Sequence, residues 1–217
     1  MTLTLETPII ELHRFDIARL SAAMAKKLAG AAAAFAAKSD PNEATVGDLL
    51  SHRLGLYRNA FDNKLEEGQD PSFLRASLSS LSATCPPGTC WSYQNIAYDA
   101  SSEMVSRTTG MPYEAAVKRY LFNPIGMSSG SVSMEGLQSN KSWAKPHSAG
   151  RRPEPIVDTY YKVPGAAGIN SNIKDMALWM EAQMGEMPDV LDGKLLDTIH
   201  APYVVTPTER QRSGRNP

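Results

Sequence analysis

Apolar residues recur along most of this chain at helical rather than alternating spacing. Ile17, Leu20, Ala23, Met24, Leu28 and Ala31 lie three or four apart, so residues 15–37 read as one helix, strengthened by the alanine run at 31–34. The Ser39-Asp40-Pro41-Asn42 string breaks it. Thr45, with Asp48 three positions on, predicts a capped short helix through Val46, Leu49 and Leu50 that stops at Gly55. Residues 58–70 are polar and read as a loop, and Pro71 opens a helix to about Leu81. Asn95 is placed to cap a helix with Ile96, Ala97, Ala100, Met104 and Val105 inward, ending at Gly110. Pro112 opens another, which Asn123-Pro124 ends. Residues 128–164 read as irregular. Ser171 or Asn172 caps a helix carrying Ile173, Met176, Ala177, Met180 and Met184, closed by Gly185. A last helix spans about 189–200, and the tail from Thr206 is charged and frayed. Few segments alternate like strands, and no long repeat is present.

Composition narrows the classes. The 217 residues carry 22 Lys+Arg against 23 Asp+Glu, a net charge of −1, so no basic field invites nucleic acid. With 42% hydrophobic and 21% charged residues the chain can bury a core. No apolar run approaches the ~18 residues of a membrane span. Met1 to His13 lacks the basic and apolar regions of an export signal, which makes the cytoplasm the expectation for the chain as written. Cys85 and Cys90 flank Pro86-Pro87-Gly88-Thr89, where a local disulfide is sterically open; no His or Cys stands near them at metal-ligand spacing, so no metal site is expected.

Candidate chemistry is sparse. His52 follows an apolar Leu-Leu pair and reads as structural; His13, His147 and His200 have no partners at informative spacing. The acids are dispersed in a pattern that reads as solvated helix faces. No phosphate loop is present, and no cofactor is implied. The informative string is Pro87-Gly88-Thr89 followed by Tyr93-Gln94-Asn95. A Tyr and an Asn two apart, leaving a turn and entering a helix, can point into one cleft: a phenol that moves a proton when a cation lowers its pKa, and an amide that both donates and accepts.

Five segments in order give that string a context. Asp48 to Leu56 (DLLSHRLGL) is similar to the LLSHRSGL segment of class C type serine β-lactamases, penicillin-binding proteins and family VIII esterases. The Pro87–Asn95 string resembles their PGT and Tyr-Ser-Asn element. TGMPY at 109–113, NPIGM at 123–127 and GAAGINSNIKDMA at 165–177 resemble TGMPY, xPLGM and GGxxSSxxDMA. The resemblance implies an α+β fold of the β-lactamase/transpeptidase type, of which this chain carries mostly the helical lobe with an incomplete, truncated sheet. It divides the chain into a remnant of the nucleophile-helix region (1–44), a helical lobe with the Tyr-x-Asn element (45–165) and helices returning to the α/β lobe (166–217). It implies hydrolysis of a β-lactam amide or small ester through an acyl-enzyme, with Tyr93 as general base and Asn95 binding the acyl-side amide. The family is often periplasmic.

FDIARLSAAMA at 15–25 is similar to the family's FRIASLSKAFA, and in that register Arg19 and Ala22 stand where the attacking Ser and its Lys belong. Ser21 remains as a nucleophile candidate, without a Lys three residues later. The strings Ser142 to Lys145 and Ser171 to Lys174 have the spacing but not the context. Three readings follow: an impaired serine hydrolase, a non-catalytic binder of a β-lactam, a peptidoglycan-like ligand or a protein, and a fragment that self-associates into homo-oligomers through faces meant to cover a sheet.

Overall fold

The computed structural model describes residues 44–204. The helix expected over 15–37, Ser21 within it, and the tail from Thr206 lie outside the described residues.

Local signals set most helix starts. Thr45 accepts from the Asp48 amide while the Asp48 carboxylate accepts from the Thr45 amide, a reciprocal cap that opens α1 (Val46–Leu50). Residues 58–70 are not all loop: α2 (Asp62–Glu66) forms there, entered through Phe61 in the left-handed region at φ 67°. Asp70 caps α3 (Pro71–Ser77), with Pro71 in the first turn, and a 3₁₀ turn (Leu78–Ser80) extends it as far as the sequence predicted. The short α4 (Asn95–Tyr98) leads into α5 (Ala100–Thr109), which ends on Gly110 at φ 68°. After α6 (Tyr113–Val117) the helix widens to a π turn (Lys118–Phe122) and continues as α7 (Asn123–Ile125). Asn123-Pro124 therefore does not stop it. Pro124 lies in the first turn of α7, where its missing N–H is least costly, and Gly126 at φ 86° closes the helix instead.

The stretch 128–164 is less irregular than its composition suggests. It contains α8 (Met134–Gln138), capped by Ser133, and a 3₁₀ turn (Thr159–Lys162). Asn172, rather than Ser171, caps α9 (Ile173–Gln183), and Asp192 caps α10 (Gly193–His200), which starts later than the pattern indicated. Among the described residues the only pairings between extended segments are isolated bridges, Ser131 with Asn170 and His147 with Pro153. This described part is the helical portion of the α+β fold.

Two apolar clusters hold these helices. Leu49, Leu65, Leu74, Leu78 and Ile96, each at most 2% exposed, bring α1, α2, α3 and α4 together, with Val163 closing over them. Phe122, Ile125, Met127 and Val132 meet Ala182 of α9 and Leu191 in the second. Burial of each large side chain contributes about 1.5–3 kcal/mol against the entropy of ordering.

The acids are not all solvated. Asp48, Asp99 and Asp175 are buried, and each finds a partner. Asp48 pairs with Arg53 at 2.8 Å. Asp99 pairs with the nearly buried Arg75 and accepts from the Gly165 amide at 2.9 Å, which ties the loop before α9 to α5. Asp175 accepts from the Ser129 amide at 2.9 Å and from its hydroxyl. Burying an unpaired carboxylate is costly, so these bonds account for acids at inward positions.

Candidate active site

The disulfide between Cys85 and Cys90, with Cα atoms 6.3 Å apart, closes the turn that precedes the Tyr-x-Asn string. Beyond it the chain runs extended: Gln94 has φ −145° and ψ 108° and directly precedes α4. Alternation along an extended stretch sends Gln94 away from the side taken by Tyr93. Gln94 is buried, and its amide donates to the Tyr57 carbonyl at 2.6 Å. Tyr93 and Asn95 are half-buried.

Three residues with positive φ and no glycine surround this string: His52 (58°), Asn59 (54°) and Phe61 (67°). Each such residue costs on the order of 1 kcal/mol or more, so the fold must overdetermine it. The His52 carbonyl accepts from the Ser92 amide at 2.9 Å, and its Nδ1 accepts from the Gln94 amide at 3.3 Å. Its ring lies 4.5 Å from that of Tyr93 and 4.8 Å from that of Tyr98. The Asn59 amide donates to the Tyr93 carbonyl at 2.9 Å. Phe61 delivers Asp62, whose Oδ2 accepts from Asn95 Nδ2 at 2.7 Å.

The electrostatics follow from burial. Desolvation lowers the His52 pKa below its usual value of 6.5, so the imidazole is neutral near pH 7 and Nδ1 is free to accept. Desolvation likewise raises that of Asp62, against the Asn95 hydrogen bond, with Glu66 adding repulsion. Tyr160 donates to Glu66 at 2.8 Å, and burial together with the nearby carboxylates pushes its phenol up to about 12.

A groove of about 700 Å³ opens beside the string, walled by Val46 and Leu50 of α1, Trp91, Tyr98, and Leu195 and Ile199 of α10. Tyr93 and Asn95 do not line it. Among the described residues no three His, Cys, Asp or Glu side chains converge on a metal position, and no helix is long and apolar enough to cross a membrane.

Tyr93 and Asn95 thus flank the extended Gln94, with Asn95 as the first helical residue rather than the cap; its side chain is committed to Asp62. His52 packs as the sequence suggested. Ser171 is exposed and donates to the Asn172 carbonyl, and Ser142 sits in an exposed turn. Asp62 and Tyr160 went unread, since no local spacing links residue 62 to 95 or 160 to 66.

The β-lactamase family profile matches residues 3–215. The chain belongs to the β-lactamase family. This β-lactamase-family chain is 31% identical over 178 residues to unguisins hydrolase ungD' of Aspergillus campestris, covering 78% of the chain and 33% of that protein. Its fold matches an octameric penicillin-binding protein homologue from Pyrococcus abyssi with a TM-score of 0.68 at 15% identity, covering 94% of the chain and 49% of the homologue. It also matches EstCE1, a hydrolase with promiscuous acyltransferase activity, with a TM-score of 0.62 at 14% identity, covering 94% and 63%. The chain spans about a third of the length of the Aspergillus relative and about half of the Pyrococcus protein.

Proposed function

We propose that this chain supplies the tyrosine and asparagine wall of an acyl-transfer pocket that receives the carbonyl of a β-lactam or small ester. What supports the reading is the pair of supports on either side of the extended Gln94: the His52 ring and the Asn59 amide on Tyr93, and Asp62 on Asn95. In this reading the Tyr93 phenol relays a proton between attacking and leaving groups, and the Asn95 amide holds the acyl-side amide of the substrate. The attacking group is the weak element. Arg19 and Ala22 occupy the register of the nucleophile pair; a guanidinium does not attack a carbonyl, and a methyl takes no proton. Ser21 is the remaining hydroxyl of that segment. The chain as written therefore binds such a ligand and turns it over poorly.

Titration of the folded protein with a penicillin, combined with chromogenic cephalosporin and nitrophenyl ester assays, tests this. Saturable binding with turnover near buffer level is expected. Absence of any saturable binding retires the reading, and a penicilloyl adduct on Ser21 by mass spectrometry replaces it with a working enzyme.

A second reading, self-association, has its own support. Ile173, Met176, Met180 and Met184 fall on one face of α9 and its end and are 84%, 41%, 59% and 68% exposed. Light scattering that shows a monomer at high protein concentration retires it.

A further inference from the structure

We infer that the Cys85–Cys90 disulfide is a reducible latch on the wall of the groove beside α1: a dithiol that reduces it releases the turn over 84–91 and with it Trp91. The inference does not rest on the proposed acyl-transfer pocket, whose Tyr93 and Asn95 do not line that groove.

Trp91 is held by its chain rather than by bonds of its own. Its indole makes no hydrogen bond among the described residues, yet it stands in the groove wall with Val46 and Leu50 of α1. Cys90 precedes it in the disulfide, and Ser92 follows it, with an amide that donates to the His52 carbonyl at 2.9 Å. One anchor of Trp91 is thus a hydrogen bond, and the other is a bond that thiols exchange.

The turn lies across the segment that follows α1. The Thr84 amide donates to the Gly55 carbonyl at 2.7 Å, and the Gly88 amide to the Arg53 carbonyl at 2.8 Å. Arg53 donates back to the Gly88 carbonyl at 3.3 Å. It also reaches Tyr203, donating to that carbonyl at 2.9 Å with its guanidinium 5.6 Å from the ring centre. Tyr203 lines the same groove. The turn therefore ties two wall residues together, Trp91 directly and Tyr203 through Arg53. Hydrogen bonds at so shallow a site gain little over water, so the ring closed by cysteines five positions apart carries much of the order of the turn.

Cys85 and Cys90 are half-buried, and Pro86 and Thr89 between them are exposed, which leaves the bond within reach of a reductant from solvent. One thiolate of the dithiol attacks a sulfur of the bond, forming a mixed disulfide and releasing the other cysteine as a thiolate. The second thiol of the reductant then attacks its own bound sulfur and frees the first cysteine. Both cysteines end as thiols, having gained two electrons and two protons, and the reductant ends as its own disulfide.

Amide hydrogen exchange read by NMR on the full chain, with dithiothreitol as the dithiol, separates a latch from a staple of the whole fold. Reduction is expected to speed exchange at the Thr84 and Gly88 amides by about fortyfold, the loop-closure entropy of so short a ring. It should also shift the Trp91 indole N–H resonance. The Leu65 amide, which donates to the Phe61 carbonyl at 3.0 Å within the first apolar cluster, should keep its rate. Oxidised dithiothreitol should restore the starting pattern. Cys85→Ser/Cys90→Ser protein should show the reduced pattern from the outset and respond to neither reagent. Thr84 and Gly88 rates that do not change on reduction overturn the inference. So does a bond that excess dithiothreitol leaves intact in the folded protein, read by thiol alkylation and mass. Faster exchange at Leu65 as well, or a double variant that fails to fold, marks a staple and overturns it too.

Discussion

The imidazole of His52 lies 4.5 Å from the phenol ring of Tyr93, on a backbone held at φ 58°. A residue that the sequence pattern reads as structural is therefore the one that packs against the candidate proton relay. Because burial lowers the His52 pKa below 6.5, the folded state resists its protonation while the unfolded state accepts it. Stability is then fully present above 6.5 and declines as pH falls from that value toward the depressed folded pKa. The wild-type melting temperature should drop on going from about pH 7.5 to about pH 5.5, and His52→Asn, which tolerates positive φ but does not titrate, should show a shallower drop from a lower starting value. Equal slopes for the two proteins would contradict the assignment.

Gly55 is required twice over. Its φ is 77°, and a Cβ built there would sit 2.1 Å from the Cys85 carbonyl oxygen, where the turn closed by the disulfide crosses back over the end of the α1 segment. Gly68 has a similar φ of 89° with nothing within 4 Å. Gly68→Ala should thus cost about 1 kcal/mol, the backbone cost alone, whereas Gly55→Ala should cost at least about 2 kcal/mol more, because main chain must move. Urea denaturation of the two variants checks the difference.

The buried pair Arg75 and Asp99 fastens α3 to α5, and Asp99 also receives the Gly165 amide. Removing one member strands the other in the interior, so Asp99→Ala should destabilise by about 3 kcal/mol in urea titrations. Glu103, the second partner of Arg75, has a side chain that is 34% exposed. Water compensates there, and Glu103→Gln should change stability by less than about 1 kcal/mol.

What could be read from the sequence was what local chemistry decides. Thr45 with Asp48, Pro71, Gly110 and Asn172 mark helix ends through bonds or torsions within four residues, and all stand where the pattern put them. The family motifs likewise carried the fold and pointed to Tyr93 and Asn95 as a candidate pair. The surroundings of that pair stayed hidden for two physical reasons. The Asp62–Asn95 bond spans 33 positions and the Tyr160–Glu66 bond 94, so no periodicity links their partners. And the strained turns at His52, Asn59 and Phe61 are made without glycine, which removes the usual mark of a left-handed residue. Pro124 misled for the opposite reason: a strong local breaker was absorbed by a helix start and a preceding π turn.

The sharpest test of the pocket is to restore what the register lacks. Arg19 and Ala22 are three apart, the spacing that places a serine and a lysine on one helical face. If Tyr93 and Asn95 form a competent wall, adding an attacking hydroxyl and a proton acceptor should suffice for the first half-reaction. In Arg19→Ser/Ala22→Lys protein the serine oxygen bonds to the lactam carbonyl carbon, the C–N bond breaks, and the ring nitrogen takes the hydroxyl proton through the lysine and Tyr93. Intact-mass spectrometry after incubation with benzylpenicillin should show a stoichiometric penicilloyl adduct that peptide mapping places at position 19. The same protein carrying Tyr93→Phe should acylate at least about a hundredfold more slowly, the usual scale of a lost acid–base group. A folded double variant that stays unmodified would mean that the wall formed by Tyr93 and Asn95 does not face the register of residue 19.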